Sequence, residues 1–96
     1  MSKFFLGLGF LMAILLAKMS FAIPVIHIIA AENFYGSVAK EIGGSYVQVT
    51  SILNQPDQDP HLFNITPSIA KRLERADLVI YNGLGYDPWI QNLLNV

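Results

Sequence analysis

Apolar residues run unbroken from Phe4 to Ala17, and past Ala22 the pattern changes to short periodic blocks. Val25 to Ala31 (VIHIIAA) is nearly continuous and rich in β-branched side chains, which predicts a strand buried on both faces. Phe34, Val38, Ala39 and Ile42 then recur at helical spacing, with Lys40 and Glu41 facing away and Asn33 placed to cap the helix. Gly43-Gly44 ends it, because glycine enters the left-handed region at little cost. Tyr46 to Leu53 (YVQVTSIL) alternates and predicts a second strand. Asn54 to Asn64 holds two prolines and two aspartates without periodicity and predicts a loop. Thr66-Pro67 marks a helix start, with Ile69, Ala70, Leu73 and Ala76 as its buried stripe and Lys71, Arg72, Glu74 and Arg75 as its solvated face. Asp77 to Asn82 predicts a third strand, Gly83-Leu84-Gly85 a turn, and Asp87-Pro88 the cap of a last helix carrying Trp89, Ile90, Leu93 and Leu94.

The predicted order is β-α-β-α-β-α, the signature of an α/β fold with a parallel sheet and right-handed crossovers. The pattern breaks off inside or just after an amphipathic helix. Residues 23–96 are therefore expected to be either the front piece of a longer protein or a truncated, non-functional product.

The front of the chain reads as an address rather than as part of the fold. Lys3 precedes a 14-residue apolar run, and Ser20-Phe21-Ala22 offers the small side chains of a cleavage site, so residues 1–22 are expected to be a cleavable signal peptide. A spanning helix needs about 20 apolar residues, and this run ends at Lys18. The chain has no cysteine, so it can form no disulfide and carries no cysteine for a lipid anchor. A periplasmic mature chain of 74 residues without stable membrane insertion is the expectation. A chain of that size buries only about 60% of the surface its unfolded form exposes, so it needs a metal, a partner or more chain.

Composition removes several classes of function. A formal charge of -1 offers no basic face for nucleic acid. Tyr35, Tyr46, Tyr81, Tyr86 and Trp89 are too scattered for a base-stacking platform and are expected to pack on the sheet. Gly83-Leu84-Gly85 lacks the rest of a dinucleotide fingerprint, the serines have no nucleophile-elbow context, and no pair of carboxylates stands out. An enzyme is not expected. What remains is the loop after the second strand, which lies at the carboxyl ends of the strands, where open parallel sheets bind ligands. It contains Asp57, Asp59, Pro60 and His61. A neutral imidazole can ligate zinc, manganese or iron, while Asp57 and Asp59 add negative potential and could hold the second ring nitrogen. A loop histidine beside a proline is nevertheless more often a surface residue than a ligand, and one histidine does not make a tight site. His27, mid-strand among isoleucines, reads as a buried core residue.

Taken together, AENFYGSVAKEIGG (31–44), VQVTSI (47–52), DPHLF (59–63), TPS (66–68) and ADLVIYNGLGYDPWIQNLL (76–94) resemble the N-terminal part of the periplasmic zinc/manganese-binding proteins that deliver metal to ABC importers. The resemblance covers nearly all of the mature chain. It implies a two-lobed protein with the lobes joined by a long helix and one zinc or manganese ion in the cleft. The histidine of the Asp-Pro-His motif, His61 here, would be the first ligand, and the other ligands would lie beyond Val96. The implied partner is the membrane permease of the importer, with the binding protein a monomer. Ile69 departs from the family, which usually has an acid after Thr-Pro-Ser. Some members of this family were described as adhesins, so a surface interaction module is the remaining alternative.

Overall fold

The computed structural model describes residues 23–94. The expected signal peptide, residues 1–22, lies outside them. Three strands and three helices alternate: β1 (Ile26–Glu32), α1 (Asn33–Gly43), β2 (Val47–Leu53), α2 (Pro67–Glu74), β3 (Leu78–Ile80) and α3 (Pro88–Leu93). A single 3-10 turn, Gly44–Tyr46, separates α1 from β2.

The strands form a parallel sheet in the order β2-β1-β3. Ile28 of β1 stands opposite Val49 on one side and Leu78 on the other, and Glu32 closes the β1–β2 ladder against Leu53. The central strand is therefore β1, and from Ile28 onward it is buried, with Ala30 and Ala31 fully so. Its amino end is not. Ile26 is 47% exposed, and His27 is exposed as well, contrary to its reading as a core histidine. Its bonding lies in the backbone: its N–H donates to Asp77 Oδ2 (2.8 Å) and its carbonyl accepts the Asp77 N–H (2.8 Å). His27 borders a surface hollow of about 440 Å³, with Gln48, Thr50, Arg72 and Arg75.

Side chains alternate across β1, so its two faces receive different helices. Ile29 and Ala31 meet Leu73 of α2 and Trp89 and Ile90 of α3 in the main core, which Ile52, Phe63, Ile65, Ile69 and Val79 extend. The other face receives α1, and here the predicted stripe is corrected in part. Ala39 is buried as expected and is joined by Gly36, whereas Phe34, Val38 and Ile42 are 49, 58 and 83% exposed. At 100° per residue the centre of the Phe34–Val38–Ile42 row lies about 130° from that of the Gly36–Ala39 pair. The small residues win the contact because they let the helix backbone come close: a Cβ at Gly36 would overlap Ser51 Oγ and lie 3.4 Å from Ala30 Cβ.

Local signals behave as their chemistry dictates. Gly44 ends α1 with φ +53° while its N–H reaches the Lys40 carbonyl. Thr66 Oγ1 accepts the Ile69 N–H at 3.3 Å, with Pro67 opening α2. The cap of α1 differs from expectation. Glu32 occupies the N-cap position, no side-chain bond caps the helix, and Asn33 is already its first residue. The tyrosines divide: Tyr46 and Tyr81 are exposed, Tyr35 and Tyr86 half-buried, and only Trp89 of the aromatic set is in the core. Among the described residues no helix is long and apolar enough to cross a membrane.

Candidate functional site

Three connections meet at the carboxyl ends of the strands: the start of α1 after Glu32, the loop from Asn54 to Thr66 after β2, and the turn from Tyr81 to Asp87 after β3. The second carries His61.

The loop is held at both ends. Gln58 Oε1 accepts the N–H groups of Asn54 (3.1 Å) and Gln55 (3.0 Å), which folds the chain back on itself just after β2. Phe63 packs edge-on against Trp89 with ring centres 4.9 Å apart, tying the far end to the core. Between these anchors Asp59 organises the histidine. One carboxylate oxygen, Oδ1, accepts the His61 backbone N–H at 2.9 Å and lies 3.0 Å from ring Nδ1. Hydrogen bonding to the anion holds the Asp59 carboxyl below its ordinary range, the backbone N–H contributing most and the imidazole next. Asp57 is exposed, and no hydrogen bond joins it to His61.

With Nδ1 engaged, Nε2 is the nitrogen left to meet a ligand. The ring stands in solvent, its side chain 57% exposed, with Tyr86 edge-on at 5.1 Å. Tyr86 therefore joins the β3–α3 turn to the β2–α2 loop. A small cavity of about 190 Å³ opens beside them, bordered by Glu32, Phe34, Leu53, Gln58, Pro60 and Tyr86. Among the described residues no group of three or more histidine, cysteine, aspartate or glutamate side chains is arranged to hold a metal ion. His61 is the imidazole at this end of the sheet, and a tight site would need further donors.

The turn that carries Tyr86 is unusual in its backbone. Gly83 (φ +77°), Leu84 (φ +55°) and Gly85 (φ +79°) place three successive residues in the left-handed region, one of them without glycine's freedom. Asp87, expected to cap α3, makes no side-chain bond to that helix. It reaches backwards instead: its two carboxylate oxygens accept the N–H groups of Asn82 (2.7 Å) and Gly83 (2.8 Å). Tyr35 of α1 donates its hydroxyl to Asn82 Oδ1, so three elements converge on one turn.

Beneath it lies a pair of carboxyls, where the sequence reading found none. Glu32 is 2% exposed and Asp87 1%. Both Glu32 oxygens are buried without a formed hydrogen bond. Burial foremost, and then the nearby Asp87 carboxyl, push Glu32 up to about 7. Partial desolvation, followed by the charges of Glu32 and Asp87, also raises the Tyr35 hydroxyl. The only sequence signal for the pair is that an acid ends an unbroken buried run, at Ala30-Ala31-Glu32, where its side chain must follow the strand inward.

Comparison with known proteins gives the chain its relatives. The family described as zinc-uptake complex component A, periplasmic, matches residues 28–96. A Thermotoga maritima protein named for metal binding is 36% identical over 76 residues, 70% of this chain and 28% of its own length. The Streptococcus gordonii manganese ABC transporter substrate-binding lipoprotein scaA is 29% identical over 73 residues, 72% of this chain and 23% of its own. The solved structure of the periplasmic zinc binding protein TroA from Treponema pallidum superposes with a TM-score of 0.68 at 24% identity, over 74% of this chain and 25% of that one, which is a likeness of fold. These names are those of binding proteins, and none is that of an enzyme. The chain spans about a quarter of the length of each. On the strength of the match from Ile28 to Val96, this chain belongs to the zinc-uptake complex component A periplasmic family.

Proposed function

We propose that this chain supplies the first wall of a cleft that captures a divalent transition metal outside the cytoplasm and presents it to the membrane permease of an ABC importer. The supporting observation is the posture of His61: Asp59 occupies Nδ1 and leaves Nε2 as the nitrogen for a ligand, on a side chain 57% exposed at the carboxyl edge of the sheet. That is the ligand-and-carboxylate pairing seen around metal-bound histidines, in which the carboxylate fixes the tautomer and raises the basicity of the ligating nitrogen. Membership in a zinc-uptake family and a relative named for manganese transport agree with it. Zinc and manganese both accept nitrogen and oxygen donors, so either ion suits this ligand. A tight site takes three or four donors, and the remaining ones would come from chain that completes the cleft.

In this reading residues 1–22 direct export and residues 23–96 are part of the N-terminal lobe, with Asp57 adding only long-range negative potential. The test is a zinc titration of the chain and of His61→Ala, followed by NMR. Zinc should perturb the His61 ring and its immediate neighbours in the parent chain and leave the corresponding residues of the variant unmoved. An equal response in both would remove His61 from the site.

A further inference from the structure

We propose that Glu32 and Asp87 share one proton, and that this proton latches the β3–α3 turn that carries Tyr86 against His61. Glu32 is thereby a positioning residue for the edge of the candidate site. The inference goes beyond metal capture and holds whether or not His61 is a ligand.

The argument starts from an accounting of donors. Asp87 is satisfied, with the N–H groups of Asn82 and Gly83 on its two oxygens. Glu32 is buried just as deeply and has neither a donor nor a cation on either oxygen. As an anion it would be a second negative charge beside Asp87 in a place water does not reach, and a buried charge without a partner is strongly disfavoured. As a neutral acid it needs an acceptor for its proton, and Asp87, the carboxyl that acts on it by hydrogen bonding and by charge, provides one. Two carboxyls this near cannot both ionise, so one proton stays between them.

The surroundings leave no competing partner among the described residues. From α1 comes Tyr35, whose hydroxyl is already given to Asn82. The turn contributes Tyr86, and α3 contributes only Asp87 at its start. The β2 residue opposite Glu32 is Leu53, and the loop after β2 brings the neutral Gln55, Gln58 and Pro60 to the same cavity. No lysine, arginine or histidine borders that cavity.

The mechanical consequence follows from connectivity. Asp87 holds Asn82 and Gly83, the turn they begin contains three residues with positive φ, and Tyr86 immediately precedes Asp87. Removing the proton sets two buried anions side by side, and the repulsion is felt at the turn that Asp87 holds through Asn82 and Gly83. Burial and the Asp87 carboxyl push Glu32 up to about 7, so the latch opens as pH rises through that value.

The experiment is an NMR pH titration of the 96-residue chain from pH 5.5 to 8.5 without metal, reading the Asn82 and Gly83 amides and the Glu32 side-chain carboxyl carbon. The expected result is a common step near pH 7 in all three. In Glu32→Gln, whose amide can donate to Asp87 at any pH, the amide step should vanish with both resonances fixed near their low-pH positions. In His61→Ala the step should persist, which separates it from the titration of the imidazole and from the metal-binding reading. If Glu32→Gln does not fold, the parent carboxyl carbon decides. A Glu32 midpoint between 4 and 5, amides that show no step, or a step retained in Glu32→Gln or lost in His61→Ala would overturn the proposal.

Discussion

A single oxygen of Asp59 serves His61 twice, accepting its backbone N–H at 2.9 Å and standing 3.0 Å from its ring Nδ1. The two contacts constrain different things: the first sets the path of the loop, the second the rotation and tautomer of the ring. Substitution separates them. Asp59→Ala should raise the zinc concentration needed for half-maximal perturbation of His61 by roughly 10-fold or more, within the range found for carboxylates behind metal-bound histidines. Asp59→Asn keeps an acceptor for the backbone and should fall between. Identical midpoints for the three chains, measured by NMR titration, would count against the role of Asp59.

Stability should depend on pH in an unusual direction. The Glu32 carboxyl rises from an ordinary 4.5 to about 7 on folding, so between those values the folded chain keeps a proton that the unfolded chain has lost. The contribution is full below pH 4.5 and is lost as pH rises through about 7, with a limiting slope of about 1.4 kcal/mol per pH unit. Asp59 works in the opposite sense at lower pH: its depressed carboxyl favours the fold above 3.8 and ceases to do so as pH falls through its folded value. Urea unfolding between pH 5 and 8 should therefore show stability declining with pH in the parent chain and much less decline in Glu32→Gln.

The docking of α1 rests on an absence of side chain. Gly36→Ala gains helix propensity, yet its Cβ would meet Ser51 Oγ and crowd Ala30 and Val49 at 3.4 Å. The net effect should be a loss of about 1–2 kcal/mol, the ordinary cost of overpacking. Adding Ser51→Ala should return most of it. Urea midpoints for the two single variants and the double variant would expose the coupling, and simple additivity would show that the two residues do not meet.

Leu84 sits at φ +55° with its side chain wholly in solvent, so it accepts strain and contributes no packing. Leu84→Asn, which tolerates the left-handed region, should stabilise the chain by roughly 0.5–1 kcal/mol. A lower melting temperature for this variant would mean that the turn needs leucine for another reason.

Much of the fold was legible in the sequence because its signals are local. Thr66-Pro67 and Gly43-Gly44 mark helix ends by chemistry confined to a few bonds, and the β-branched blocks mark the strands, so the α/β order and the parallel sheet emerge together. The face of α1 emerged only at Ala39. Periodicity identifies an apolar row but not which part of it a sheet selects, and Gly36 joined Ala39 in place of Phe34, Val38 and Ile42 because closeness of backbones outweighed the size of side chains. His27 was misread for a related reason: a strand pattern does not say where its neighbours stop, and β3 begins to pair only at Ile28. His61 was visible as a motif, and its place at the strand ends followed from topology. Its partner Tyr86 and the Glu32–Asp87 pair were not visible, because each joins residues 25 or more positions apart whose meeting only the assembled sheet decides.

That β1 lies between its two neighbours also sets an order of events. Ile28 meets Val49 across 21 residues but Leu78 across 50, and closing the longer loop costs roughly 0.8 kcal/mol more in chain entropy. The first βαβ unit should therefore zip before the third strand docks, leaving the far side of β1 briefly open. Pulse-labelled hydrogen exchange should find the β2 amides that donate to β1 protected ahead of the β3 amides that do so, and the reverse order would refute this sequence of assembly. Until β3 arrives, Glu32 has no Asp87 beside it, so the shared proton is taken up only in the closing step.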